Sequence, residues 1–312
     1  MNMKNSSPLI TGVLFSKDRA MQLEATLASF LENCEDPDLI QIHVIYTASS
    51  NLYFEQYRAL IQEYQNGAQV VFHLQTEFKQ DVLNVLGIFE QKQNQKIWSR
   101  LKSFLIRNTD FKPFRFLMFM VDDNIFVRTF KLSDALVVLD SERDVLGFSM
   151  QLGTNISYCY PLDIPLTFPA HQFVSQTCVK YRWVEAGDGL NYPLEVSSSI
   201  YRMADIKSLL LSRNYDNPNS LEAEMSVSSS QYKSKRPCLA CYHQSVTFCN
   251  PANKVQDIYN NRSGVDLEYT PENLAQLFSD GNRIDINMYK GFSPVSCHQE
   301  VKLFLKKAKG DK

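Results

Sequence analysis

No apolar run in the sequence approaches the ~18 residues that a membrane-crossing helix needs, so no integral membrane segment is expected. Nor is charge of one sign concentrated: 32 basic against 34 acidic residues leave a formal charge of -2. That balance excludes wholesale capture of a nucleic-acid backbone, and any anionic ligand has to be bound locally. The basic tail over 302–312 reads as a solvated, frayed helix end in preference to a contact for nucleic acid or anionic lipid, and any membrane contact of the chain is expected to be peripheral. Residues 1–8 are polar, and the apolar stretch after them is too short and ill-flanked for a signal peptide. Seven cysteines, an odd number scattered through 312 residues, form no evident disulfide framework and suit reduced thiols in the cytoplasm. Cys238-x-x-Cys241, with His243 and Cys249 nearby, lacks the usual two-pair spacing of a zinc site.

What is present is an ordinary globular composition, 44% hydrophobic, with a clear α/β rhythm in its first half. Short β-branched or aromatic runs alternate with longer amphipathic stretches, the pattern of a mostly parallel central sheet flanked by helices. Strands are expected over 10–15, 40–46, 68–74, 114–121 and 144–150. Helices are expected over 18–32, 53–64, 81–89 and 97–106, with a break at 91–95, and with Ser16 or Asp18 capping the first. Beyond 150 prolines and turns multiply, so 9–150 reads as one half and 151–312 as a mixed, loop-rich partner on what is expected to be a shared sheet. The serine-rich stretch 226–234 reads as a mobile loop, and His298 falls in an expected terminal helix.

In open α/β sheets ligands gather outside the carboxyl ends of the strands, and three such places hold chemistry. After the first strand, Ser16-Lys17-Asp18-Arg19 offers donors for a phosphate at a helix start. After the most hydrophobic strand comes Asp122-Asp123-Asn124. Three oxygen-bearing side chains in a row suit a hard cation such as magnesium or manganese, and two acids ending a buried strand are costly unless something compensates them. After the strand over 144–150, Gln151-Leu152-Gly153-Thr154-Asn155 offers a floor beneath a sugar, or a simple turn.

The run Phe15-Ser16-Lys17-Asp18-Arg19-Ala20-Met21-Gln22-Leu23, followed by Phe119-Met120-Val121-Asp122-Asp123-Asn124-Ile125-Phe126, resembles the nucleotide-sugar glycosyltransferases of the GT-A fold, especially bacterial family-2-like members. The resemblance covers roughly 9–155. It implies a Rossmann-like GT-A sheet, a nucleoside-diphosphate sugar as donor (UDP-linked by preference), and a divalent metal, Mn2+ or Mg2+. Phe15, Ser16, Arg19, Asp122 and Asp123 become the expected donor contacts, and Asp122, Asp123 and Asn124 the expected metal ligands. Asn124 stands where many members carry an acid, which implies altered metal dependence. The implied acceptor is a hydroxyl on a glycan, a lipid-linked or a small molecule, in the synthesis of a cell-surface polysaccharide.

Inverting chemistry needs a carboxylate that deprotonates that hydroxyl. Glu222, in an expected helix start after Asn217-Pro218-Asn219, is one candidate, with a capping-box role opposite Asn219 as the alternative. Asp188 and Glu185, beside the Gly187-Asp188-Gly189 loop, compete with it. Trp183 and Tyr192 flank that loop as expected acceptor platforms. The resemblance also implies a C-terminal polar residue returning to the metal, with His243 and Asn253 as candidates. Two rival readings remain: a non-catalytic sugar-binding protein in which Asn124 has replaced a needed acid, and a nucleotidyltransferase. The second is disfavoured because residues 15–19 contain no glycine.

Overall fold

The computed structural model describes residues 8–65, 67, 69–88, 115–253 and 267–308. The helix expected over 97–106 and the break at 91–95 lie outside the described residues. The chain begins β1 (Ile10–Lys17), α1 (Ala20–Asn33), β2 (Ile40–Thr47), α2 (Asn51–Tyr64), β3 (Val70–Leu74) and α3 (Phe78–Val85). It continues through β4 (Phe116–Val121), β5 (Asn124–Phe126), α4 (Leu132–Ser141) and β6 (Val145–Ser149). Short strands follow: β7 (Tyr158–Cys159), β8 (Ile164–Pro165), β9 (His171–Phe173) and β10 (Cys178–Arg182). Then come β11 (Ser199–Arg202), α5 (Met203–Ser212), α6 (Pro218–Val227), β12 (Cys238–Tyr242) and β13 (Thr247–Cys249). The described chain closes with α7 (Pro271–Ser279), β14 (Asn282–Ile284) and β15 (Leu305–Lys307).

One nine-stranded sheet in the order β3-β2-β1-β4-β11-β6-β12-β10-β9 draws strands from both halves. The first four strands pair in parallel, so Lys17, Thr47, Leu74 and Val121 end at one edge. β11 runs antiparallel between β4 and β6, which brings its first residue, Ser199, to that same edge.

Alternation along the central strands feeds two cores, as expected for strands covered on both faces. Ile10, Leu14, Phe116, Met118 and Met120 face one layer, while Val13, Phe15, Leu117 and Phe119 face the other. Each such fully buried side chain contributes roughly 1.5–3 kcal/mol relative to exposure. Gly147 in β6 is required by packing, since a Cβ there would lie 2.5 Å from the Tyr201 ring.

Several local expectations are corrected. The basic tail is not a helix where described: Leu305–Lys307 is a strand paired with β14. Neither Ser16 nor Asp18 caps α1, whose N-cap Arg19 makes no side-chain capping bond. The serine-rich stretch is the end of α6 followed by a 3-10 turn, Ser228–Tyr232. Among the described residues, no helix is long and apolar enough to cross a membrane.

Candidate functional site

The carboxyl edge of the parallel strands opens into a cleft of about 830 Å³, lined among others by Phe15, Ser16, Arg19, Asp122, Asp123, Tyr192, Glu222, Asn253 and His298. Its centre is an ion cluster. Arg19 Nη1 lies 3.1 Å from Asp122 Oδ1 and 3.4 Å from Asp123 Oδ2, and all three side chains are largely buried. Arg19 Nε donates to Asn253 Oδ1 at 2.9 Å, and Nη2 donates to the Asn253 carbonyl. The other oxygen of Asp122 accepts from the Ser16 hydroxyl at 2.9 Å and from the Lys17 N–H at 3.3 Å. Tyr57 completes the cradle: its hydroxyl is 2.6 Å from Ser16 Oγ and accepts from the Arg19 N–H. The turn into α1 is bent at Asp18, whose φ is +56°. The Asp18 carboxylate holds that turn by accepting from the Ser49 N–H at 2.7 Å.

These contacts divide the three residues expected to bind a metal. Burial pushes Asp122 up to about 6, with Arg19 opposing and Asp123 adding to the shift. Both Asp122 oxygens are already engaged by Arg19, Ser16 and Lys17. Asn124 is fully buried and serves the fold: its Oδ1 accepts from the Val121 N–H and its Nδ2 donates to the Ser197 carbonyl at 2.8 Å. The expectation that Asn124 binds a metal is therefore corrected, because its amide faces the protein on both sides. Asp123 differs, since its Oδ1 is buried without a hydrogen-bond partner. His298 lies close enough for Asp123 to raise its proton affinity, while burial lowers it further than that and keeps the ring toward its neutral form. Asp123 and His298 line the same cleft and bring to it an unpartnered carboxylate oxygen and an imidazole, donor types that divalent cations accept. Among the described residues no three His, Cys, Asp or Glu side chains converge on one point, so a cation here needs further oxygens from a ligand or water.

Glu222 lines the same cleft. It is not a capping partner: α6 is capped by Asn217, whose side chain accepts from the Ser220 N–H. Glu222 instead accepts from the Tyr192 hydroxyl at 3.1 Å and from the Val196 N–H at 3.3 Å. Burial raises its pKa, and those two bonds partly offset the rise.

Other candidates fall elsewhere. Asp188 is exposed beside Asn191, and Glu185 is paired with Arg182, both away from the cleft lining. Trp183 is a core residue whose Nε1 donates to the Arg236 carbonyl. His243 packs on the Phe173 ring. The expected floor at 151–155 packs inward: a Cβ on Gly153 would lie 2.3 Å from the Ser245 nitrogen, and Asn155 bonds Ser245 and Pro294. Cys238 donates toward Asp144, in no metal cluster of the described residues. His298, read as helical from sequence, sits instead in an extended segment bridged to Cys249. Nothing in local pattern distinguishes Tyr57 from the neighbouring α2 residues that pack into the core, so the sequence does not single it out.

No family model matches the sequence. The chain is 26% identical over 304 residues to the bifunctional glycosyltransferase pgtA of Dictyostelium discoideum, an alignment covering 89% of this chain and 36% of that protein. The chain therefore spans about a third of its relative's length. The resemblance to glycosyltransferases noted in the motifs thus extends to most of the sequence. Among solved structures, S. aureus TarS 1-349 in complex with UDP is 16% identical, with a TM-score of 0.43 over 76% of this chain and 57% of that one. The mannosyltransferase PcManGT from Pyrobaculum calidifontis, in complex with GDP-Man and Mn2+, is 10% identical, with a TM-score of 0.37 over 75% and 54%.

Proposed function

We propose that this chain transfers a sugar from a nucleoside-diphosphate donor to a hydroxyl acceptor. The observation that carries the reading is one cleft in which Asp123 and His298, with donor atoms to offer, and Glu222, an acid with raised proton affinity, line the same space. Similarity to a bifunctional glycosyltransferase over 89% of the chain supports it. The first donor to test is a UDP-sugar. A glycan, lipid-linked or small-molecule hydroxyl is the expected acceptor, and polysaccharide synthesis in the cytoplasm is the setting that seven free thiols accord with.

In this reading Asp123 and His298 would hold manganese or magnesium, which would supply Lewis-acid neutralisation of the departing diphosphate. Arg19 fixes the acid turn and brings a guanidinium to the same wall. Asp122 acts through Arg19 and Ser16, holding the turn, and is not itself a metal ligand. Glu222 takes the acceptor proton, a task suited to a carboxylate held out of water. Tyr192, half-exposed and bonded to Glu222, offers the acceptor a ring face beside the base. The non-catalytic alternative drew on Asn124 replacing an acid, and loses that support because Asn124 is structural.

The test is nucleotide release from UDP-, GDP-, CDP- and dTDP-sugars in manganese. Turnover with one donor is expected, reduced roughly 10²–10⁴-fold in Glu222→Gln. Glu222→Gln is expected to keep its nucleotide affinity. Wild-type turnover in Glu222→Gln would remove the base assignment.

A further inference from the structure

Glu195 lies just ahead of β11, next in the chain to Val196 and Ser197 of the cleft lining, and has no role in the chemistry so far. Its carboxylate accepts from the Ser197 N–H and from the Ser199 hydroxyl. Its backbone is held as well: the Glu195 N–H donates to the Tyr201 hydroxyl oxygen at 2.9 Å, and that hydroxyl lies 3.0 Å from the Glu195 carbonyl. These contacts close a turn in which Ser198 has φ +140° and a buried hydroxyl without a partner. Both features are costly, and such backbone persists only where the surroundings over-determine it.

What the turn presents explains why it is held. The Val196 N–H reaches Glu222 Oε2, the Ser197 carbonyl accepts from Asn124 Nδ2, and the Ser198 carbonyl accepts from the Met150 N–H. One short segment therefore contacts the acid on the acceptor wall and the turn that carries Asp123. We infer that Glu195 is a positioning residue: by fastening the 196–199 turn it fixes Glu222 relative to Asp123. The inference rests on the proposed function only in taking Glu222 as the base. Burial pushes Glu195 up to about 7 against its two hydrogen bonds, with Glu222 adding to the rise. The position thus tolerates an unfavourable acid where an apolar side chain would pack more cheaply.

The conservative amide separates geometry from charge. In Glu195→Gln the amide oxygen can accept from Ser197 and the amide nitrogen can donate to Ser199 Oγ, so both ties survive. Alanine removes both, and Ser199→Ala removes one while leaving the core untouched. The reporter is Tyr192, whose hydroxyl donates to Glu222. In the full chain labelled with 3-fluorotyrosine, its ¹⁹F resonance is assigned with Tyr192→Phe. Glu195→Ala is expected to displace that resonance, Ser199→Ala to displace it less in the same direction, and Glu195→Gln to leave it in place. In donor turnover, Glu195→Ala is expected to lower kcat by about 10- to 100-fold with KM unchanged, as for a small misplacement of a reacting group. An unmoved Tyr192 resonance in both alanine variants would overturn the inference, as would a Gln variant displaced as far as Ala. Should Glu222→Gln turn over donor normally, the base assignment falls, and the fluorine spectrum still decides whether Glu195 places Glu222.

Discussion

Arg19 makes four polar contacts in a nearly dry setting: Asp122, Asp123, and the side chain and carbonyl of Asn253. Removing one partner of such a buried pair leaves the others desolvated and uncompensated, at a cost of about 3–5 kcal/mol. Arg19→Ala is accordingly expected to lower the urea midpoint by that equivalent. Arg19→Lys should recover little, because an ammonium cannot span the two acids and Asn253 at once. Residue identity at this site was only partly legible in the sequence. The Asp122-Asp123-Asn124 triplet announced an acid turn at a strand end. Which oxygen remained free depended on Ser16, Lys17 and Ser197, contacts that reach across the sheet and leave no local trace. His298 was misread for the same reason: its approach to Asp123 is set by the pairing of its segment with Cys249.

At the scale of elements, α1 carries a titratable liability. Burial pushes Glu24 up to about 7, with Arg283 opposing and Glu63 adding to the rise, and one of its oxygens is buried without a partner. The folded chain thus binds more protons than the unfolded one between pH 4.5 and about 7. Stability therefore falls as pH rises through that window. Glu24→Gln should remove this slope, so the melting midpoint of the variant gains on wild type from pH 5 to pH 8. Equal midpoint differences at both pH values would contradict the assignment. At β6, Gly147→Ala drives a Cβ into the Tyr201 ring. Overpacking of this kind costs typically about 1–3 kcal/mol, and chemical denaturation measures it.

Elements with strong hydrophobic runs, β1 and β4, were legible because strands buried on both faces read as continuous apolar segments. Short strands such as β11 and β15 were not, since three or four residues hold no period. Their assignment comes from pairing partners distant in sequence, Ser199 with Ser149 and Leu305 with Ile284.

At the scale of the molecule, the fold brings Asp122, Asp123 and Glu222 to one cleft although about 100 residues separate the acid turn from Glu222 in sequence. Parallel pairing of β1 to β4 sets the first group. The antiparallel insertion of β11 carries the Glu195 turn to the same edge, and with it the contact to Glu222. An acid turn closing a parallel α/β half was legible from alternation alone; the face that Glu222 presents was not, because it depends on how α6 is capped and docked.

The most direct measurement is thermal stability of the chain and of Asp123→Ala with UDP, GDP, CDP or dTDP, each with and without manganese. A ligand at 100 times its dissociation constant adds about 2.7 kcal/mol, several degrees of melting midpoint. The expected result is a shift with one nucleotide that requires manganese and disappears in Asp123→Ala. No shift with any nucleotide and metal, or a metal-dependent shift that survives Asp123→Ala, would contradict a metal-assisted donor site at Asp123 and His298.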